Sequence, residues 1–201
     1  MPIGDVEAAC VALGADLEVR ARWHGEGLDR LLDSTHAHLV ELMVQMLGDV
    51  GWEAGVEVSF NRYGERGAID VLGWHATSRA LLVVEVKSVV PDAQAMLSEH
   101  DRKARLAEVI GRSRGWNALQ VGRLLVIADS STSRRRVLAL PGTFAAAYPD
   151  RAIAVRRWLR RPQGALSGLL FLSDSHGTGT RRRSTARERV QGPQRPSNGP
   201  G

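Results

Sequence analysis

The order of periodicities along this 201-residue chain predicts an α/β fold, a central mixed sheet flanked by helices in the order α-β-β-β-α-β. Two further observations agree. Leu124-Leu125-Val126-Ile127, inside the run Val121–Ala128, is wholly apolar and of strand length, as expected of a central strand buried on both sides. Residues 68–74 and 80–88 form a hairpin that is apolar on both faces. Leu72, Trp74, Leu81 and Val83 share one face, and Ile69, Val71, Leu82, Val84 and Val86 the other, so both must be covered.

The elements follow in order. Residues 5–13 read as a short helix stopped by Gly14, and Asp16-Leu17-Glu18-Val19-Arg20-Ala21-Arg22-Trp23 alternates as a half-buried strand does. This unit, residues 1–27, is too short to bury a core and is expected to be an accessory or a dimerising arm. From Leu28, the residues Leu31, Leu32, Leu39, Leu42, Met43, Met46 and Leu47 recur at helical spacing, predicting a long helix that ends at Gly48 or Gly51. A strand over 56–60 leads through the glycine-containing turn 63–67 to the hairpin, which turns at 75–79. Pro91-Asp92 breaks the chain. Helical periodicity returns over 95–113, followed by the apolar strand 121–128, a helix over 141–148 and a last strand at 169–172. The main domain therefore spans 28–174, and 175–201, without an apolar period, is expected to be a disordered basic tail.

The calculated pI of 10.3 suggests a polyanion partner only once the charge is located. The tail after residue 175 holds six arginines and one glutamate. Residues 1–60 hold three basic and eleven acidic residues, whereas 61–175 hold eighteen and ten, so the second half of the body is basic. One cysteine, Cys10, excludes an intrachain disulfide, no apolar run is long enough to span a membrane, and the N-terminus lacks a signal peptide's regions. The cytoplasm is the expected location.

The chain contains two lysines against twenty-five arginines. Lysine is a compact, movable point charge and arginine a permanently charged fork. Lys87, two residues after Glu85 on an apolar strand, therefore points to a task arginine does not perform. A symmetric hairpin pairs Trp74 with Leu81, Leu72 with Val83 and Asp70 with Glu85, which sets two carboxylates opposite each other with Lys87 one step beyond. Opposed buried like charges are relieved by a raised pKa on one of them or by a divalent cation. Oxygen-only ligation by Asp70 and Glu85, leaving room for water and phosphate, suits Mg²⁺ (or Mn²⁺). Lys87 would then act on water or on a phosphate charge.

Gly64-Glu65-Arg66-Gly67-Ala68-Ile69-Asp70, then fourteen residues, then Glu85-Val86-Lys87 resembles the active-site signature of the PD-(D/E)xK nuclease superfamily. The resemblance covers roughly residues 28–128, with Ile69 in place of the motif's proline. It implies a restriction-endonuclease-like core and a metal-dependent phosphodiesterase site, with Asp70 and Glu85 as metal ligands and Lys87 as the catalytic lysine. Glu41 on the first helix and Glu57 on the preceding strand are the candidates for a further acidic group. Residues 5–47 also resemble the linker and helix that follow a helix-turn-helix module in some actinobacterial-type regulators carrying such a domain, which would make this chain an N-terminally shortened member.

Arg102, Lys103 and Arg105 on the helix after the lysine strand, and Arg134 beyond the buried strand, are the candidates for contacts to a phosphate backbone. His75 and His100 are expected at the surface. The function expected is hydrolysis of phosphodiester bonds in DNA by a divalent-metal-dependent nuclease, with a homodimer as an open alternative to a monomer. The alternative is a catalytically silent domain of that fold, serving nucleic-acid binding or dimerisation in a transcriptional regulator.

Overall fold

The computed structural model describes residues 10–13, 26–90 and 92–173. The strand expected over 16–23 and the tail over 175–201 lie outside them. Of the helix expected at 5–13, the turn at 10–13 is described, closed by Leu13 N–H donating to Cys10 O.

The elements are α1 (Glu26–Gly48), β1 (Glu53–Arg62), β2 (Glu65–His75), β3 (Ala80–Lys87), α2 (Ala93–Arg112), β4 (Gln120–Ala128), α3 (Ser131–Ala139), α4 (Pro141–Ala147), α5 (Ala152–Arg160) and β5 (Leu166–Leu172). They build an open five-stranded mixed sheet in the order β1-β2-β3-β4-β5. The first three strands are antiparallel, while β3, β4 and β5 run parallel. Among the described residues, no helix is long and apolar enough to cross a membrane.

Each face of the sheet carries its own core. On one face, Leu39, Met43 and Leu47 of α1 and Val155, Trp158 and Leu159 of α5 pack against Val71, Leu82, Val84, Val86, Leu124 and Val126. On the other, Leu106, Ala107 and Ile110 of α2 cover Ile69, Leu72, Leu81 and Val83, and Met96, Phe144 and Tyr148 cover Leu125, Ile127 and Leu169. Strand β3, between the two layers, is buried from Ala80 to Val86 and opens only at Lys87. A central strand covered on both faces has no reason to alternate, which is why its sequence is almost continuously apolar.

Local signals set the ends. Gly51, at φ +86°, closes α1 as Trp52 N–H returns to Leu47 O, and the Trp52 indole N–H donates to Leu159 O, tying α1 to α5. Asp92 accepts from Gln94 N–H and Ala95 N–H, so α2 begins at Ala93, two residues before the periodicity suggests. Helices α3 and α5 are additions to the expected order. Ser130 caps α3 through Ser133 N–H, so a serine-rich stretch that reads as loop is a capped helix. Helix α5 has only nine residues, but Val155, Trp158 and Leu159 form a compact apolar stripe.

Strand β5 begins three residues earlier than expected, through Ser167 and Gly168. A β-carbon on Gly168 would lie 2.6 Å from Val155 Cγ2 and 3.1 Å from Leu124 Cδ1, and one on Gly122 would lie 2.8 Å from the Trp158 ring. The two glycines let α5 rest directly on the strands. Gly168→Ala should therefore overpack this contact and cost about 1–3 kcal/mol. A urea midpoint unchanged from the unaltered chain would remove this account of the α5 contact.

Candidate active site

The hairpin register is the expected one, with Trp74 opposite Leu81 and Leu72 opposite Val83, but the ladder stops at the pair Val71–Val84. Asp70 and Glu85 are not a ladder pair. Beyond Val71, β2 parts from β3, and the Asp70 carboxylate fills the gap: its Oδ2 accepts from Val86 N–H at 2.7 Å. A side chain thus supplies the acceptor that a backbone carbonyl would otherwise provide.

The same place corrects the expected faces. Ile69 was expected beside Val71, yet Ile69 packs with Leu72, Val58 and Phe60 on the α2 side, whereas Val71 packs on the α1 side. The two-residue alternation breaks at Asp70. Across from it Glu57 has φ +46° and is missing from the β1–β2 ladder, whose partners run Val56–Val71 and then Val58–Ile69. Both strands turn over here, and the turn delivers Asp70 to the end of β3.

Glu85 is fully buried, and both lysines of the chain converge on it. Lys87 Nζ stands 2.6 Å from Oε1, and Lys103 Nζ donates to Oε2 at 2.6 Å. Lys103 also lies 3.8 Å from Asp70 Oδ1 and 3.4 Å from Glu99 Oε1, one helical turn earlier on α2. Lys103 was expected on the solvent face, where it would track a phosphate backbone. The structure turns it inward, 3% exposed, because Met96, His100, Lys103, Ala107 and Ile110 share the stripe of α2 that faces the sheet. Lysine suits this place because a compact point charge with movable donors can serve three carboxylates at once.

The electrostatics follow. Burial and the neighbouring Glu85 charge raise the Asp70 pKa against the opposing pull of Val86 N–H, Lys103 and Lys87. Burial would raise Glu85 as well, but the contacts from Lys103 and Lys87 outweigh it and hold its carboxyl below the usual range. Burial works against the charged form of Lys103, and its bond to Glu85, with the charges of Glu85, Asp70 and Glu99, raises it instead. Two like charges forced together are therefore relieved by two ammoniums and by an upward shift on Asp70.

Three carboxylates and two ammoniums leave the cluster with one net negative charge. Glu85 Oε1 makes no hydrogen bond of good geometry, the Lys87 contact being a close ion pair set off the hydrogen-bonding angle. Asp70 Oδ1 and Glu85 Oε2 both reach one Lys103 nitrogen, so they lie no farther apart than those two distances combined. The donor set of two carboxylates fits a hard divalent ion that keeps several waters. Among the described residues no group of three or more His, Cys, Asp and Glu side chains is arranged to hold a metal.

The remaining candidates are dispersed. Glu41 is mostly exposed, 4.0 Å from His38, and lines with Glu57 a separate groove of about 560 Å³ between α1 and β1. Neither bonds to Asp70, Glu85 or Lys87. Arg134 makes two bonds to Asp129, at 2.6 and 2.8 Å, and lies over the Phe171 ring. Arg105 pairs with Glu65 at 3.1 Å, and Arg102 lies on the neighbouring part of α2. His100 is not at the surface: it is fully buried, bonded to Tyr148 Oη at 2.8 Å and Val83 O at 3.3 Å. His75 is half-buried and bonded to Ser78.

No protein-family model matches the chain, and no curated protein matches it at a significant level.

Proposed function

We propose that the chain is a divalent-metal-dependent nuclease with a restriction-endonuclease-like core, hydrolysing phosphodiester bonds in DNA. One observation carries the reading: the only two lysines of an arginine-rich chain meet at a buried glutamate, beside an aspartate, where two strands part. The Asp70 and Glu85 carboxylates would hold Mg²⁺ or Mn²⁺. The ion supplies Lewis acidity toward the phosphate oxygens and makes a water easier to deprotonate. Bound to a cluster of net charge minus one, it leaves plus one, which a phosphodiester neutralises.

Lys87 is the member with access to substrate, its side chain 25% exposed against 4% for Lys103. Its ammonium donates to a phosphoryl oxygen as charge builds in the transition state. Lys103 fixes the Glu85 carboxylate from behind, and Val86 N–H fixes Asp70.

A second reading has one observation in its favour: Lys87 and Lys103 already compensate Glu85, so the cluster is also self-consistent as a structural ion network. In that case the domain is catalytically silent and serves nucleic-acid binding or dimerisation in a transcriptional regulator.

Incubation with plasmid, single-stranded DNA and RNA, with Mg²⁺ or Mn²⁺, separates the two. Cleavage by the unaltered chain should fall by about 100-fold or more in both Asp70→Asn and Lys87→Ala. Absence of cleavage on every substrate, with a melting temperature that metal does not move, would leave the second reading.

A further inference from the structure

Beside the cluster, along the exposed side of α2, runs a polar groove of about 760 Å³ lined by Glu65, Ser98, Glu99, Arg102 and Arg105. It adjoins the cluster, since Glu99 lines the groove and pairs with Lys103 at 3.4 Å. Its acidic groups are matched: Glu65 to Arg105, Glu99 to Lys103, and Asp101, also on its wall, to Arg123.

Arg102 is the exception. Its guanidinium makes no hydrogen bond or ion pair with any described residue, and its Nε is shut off from solvent. The residue as a whole stays partly exposed, so a guanidinium with no acceptor inside the fold is open, through its Nη groups, to an acceptor from outside. Arg102 is also placed by the motif itself. A β-carbon on Gly67 would lie 2.9 Å from the Phe60 ring and 3.7 Å from Arg102 Nη2, so the glycine three residues before Asp70 makes room for the ring beside the guanidinium.

We propose that this groove is the track along which a nucleic-acid strand reaches the cluster, with Arg102 donating to a backbone phosphate next to the scissile one. The inference rests on the nuclease reading, since it takes the cluster as the place where the strand is cut. A planar fork suits this contact as the movable lysine suits the cluster, because two parallel N–H groups match two phosphate oxygens.

The test is binding without turnover. The full chain, in EDTA, is titrated against fluorescently labelled single-stranded and duplex oligonucleotides, with inorganic phosphate as competitor and melting curves to verify folding. Arg102→Ala should weaken oligonucleotide binding about 10-fold on every sequence and lower the salt slope by about one. Arg160→Ala, which removes an exposed arginine on α5 on the opposite face of the sheet, should leave Kd within about 2-fold. Arg102→Lys should lie between. Equal binding by Arg102→Ala and the unaltered chain, or an equal loss in Arg160→Ala, overturns the track and leaves the nuclease reading standing. Displacement by millimolar phosphate alone assigns Arg102 to a free anion and overturns it too. No binding of any oligonucleotide by the unaltered chain overturns the track, and with no cleavage in the earlier assay the nuclease reading falls with it.

Discussion

Glu85→Gln is expected to abolish cleavage and to destabilise the fold by about 3 kcal/mol. The substitution keeps the shape and an acceptor for Lys103 but removes the charge that two ammoniums share. Lys103 is buried, and a buried charge that loses its partner typically costs about 3–5 kcal/mol. The lower figure applies because Asp70 and Glu99 remain within 3.8 Å of the same nitrogen. Lys103→Met in the Glu85→Gln background should recover most of that loss, since a neutral pair needs no compensation, and should not restore cleavage. Chemical denaturation of the two single variants and the double variant gives the coupling directly. Additive losses across the cycle would show that Glu85 and Lys103 are not energetically coupled, and a Glu85→Gln protein as stable and active as the parent would show that the Glu85 charge contributes neither stability nor chemistry.

Acidification should remove about 3 kcal/mol of stability through one histidine as the pH falls from about 7 to about 4. Burial lowers the His100 pKa to about 4, against an ordinary 6.5. Val83 O can only accept, so Nε2 carries the proton of the neutral ring, and Nδ1 accepts from Tyr148 Oη. Protonation places an Nδ1–H against the Tyr148 hydroxyl, which loses its acceptor and must turn away a proton that burial holds more firmly than usual. The sign is definite. Between the two pKa values the unfolded chain binds a proton that the folded one does not, so stability is full above pH 6.5 and is lost toward pH 4. Asp70 works in the opposite direction, because a raised carboxyl pKa favours the folded state as pH falls. Glu85 joins the loss only below its ordinary range. His100→Gln retains a donor and an acceptor without titrating, so its urea midpoint should change much less between pH 7 and pH 4.5 than the parent's. Parallel acid limbs in the two proteins would refute the assignment.

Much of the sheet was legible because burial on both faces writes itself into composition. Leu124–Ile127 and Leu81–Val84 admit no polar residue, and the hairpin register follows from the short turn between its strands. The short helices were not. Ser130–Ser133 carries a cap that reads as loop, and α5 is stabilised by what it lies on, since Gly122 and Gly168 make room for Trp158 and Val155 from two distant strands. The candidate site was legible in its members but not in its wiring. Residue type alone places His100 and Lys103 in solvent, although Met96, His100, Lys103, Ala107 and Ile110 fall on one helical stripe. A polar residue on an apolar stripe signals a buried network, and here the stripe outweighed the type.

By itself, the sequence determined that the protein is an α/β sheet protein and that Asp70, Glu85 and Lys87 lie at one end of an apolar hairpin, because side-chain period and strand pairing are local. Only the tertiary structure decided that the ladder ends one pair short of Asp70, that Lys103 crosses from α2 to share Glu85, and that Arg102 has no acceptor among the described residues. Those facts depend on which surfaces a helix and a sheet present to each other after both have formed. Charges there are positioned by packing, and packing is the sum of contacts between residues far apart in the chain.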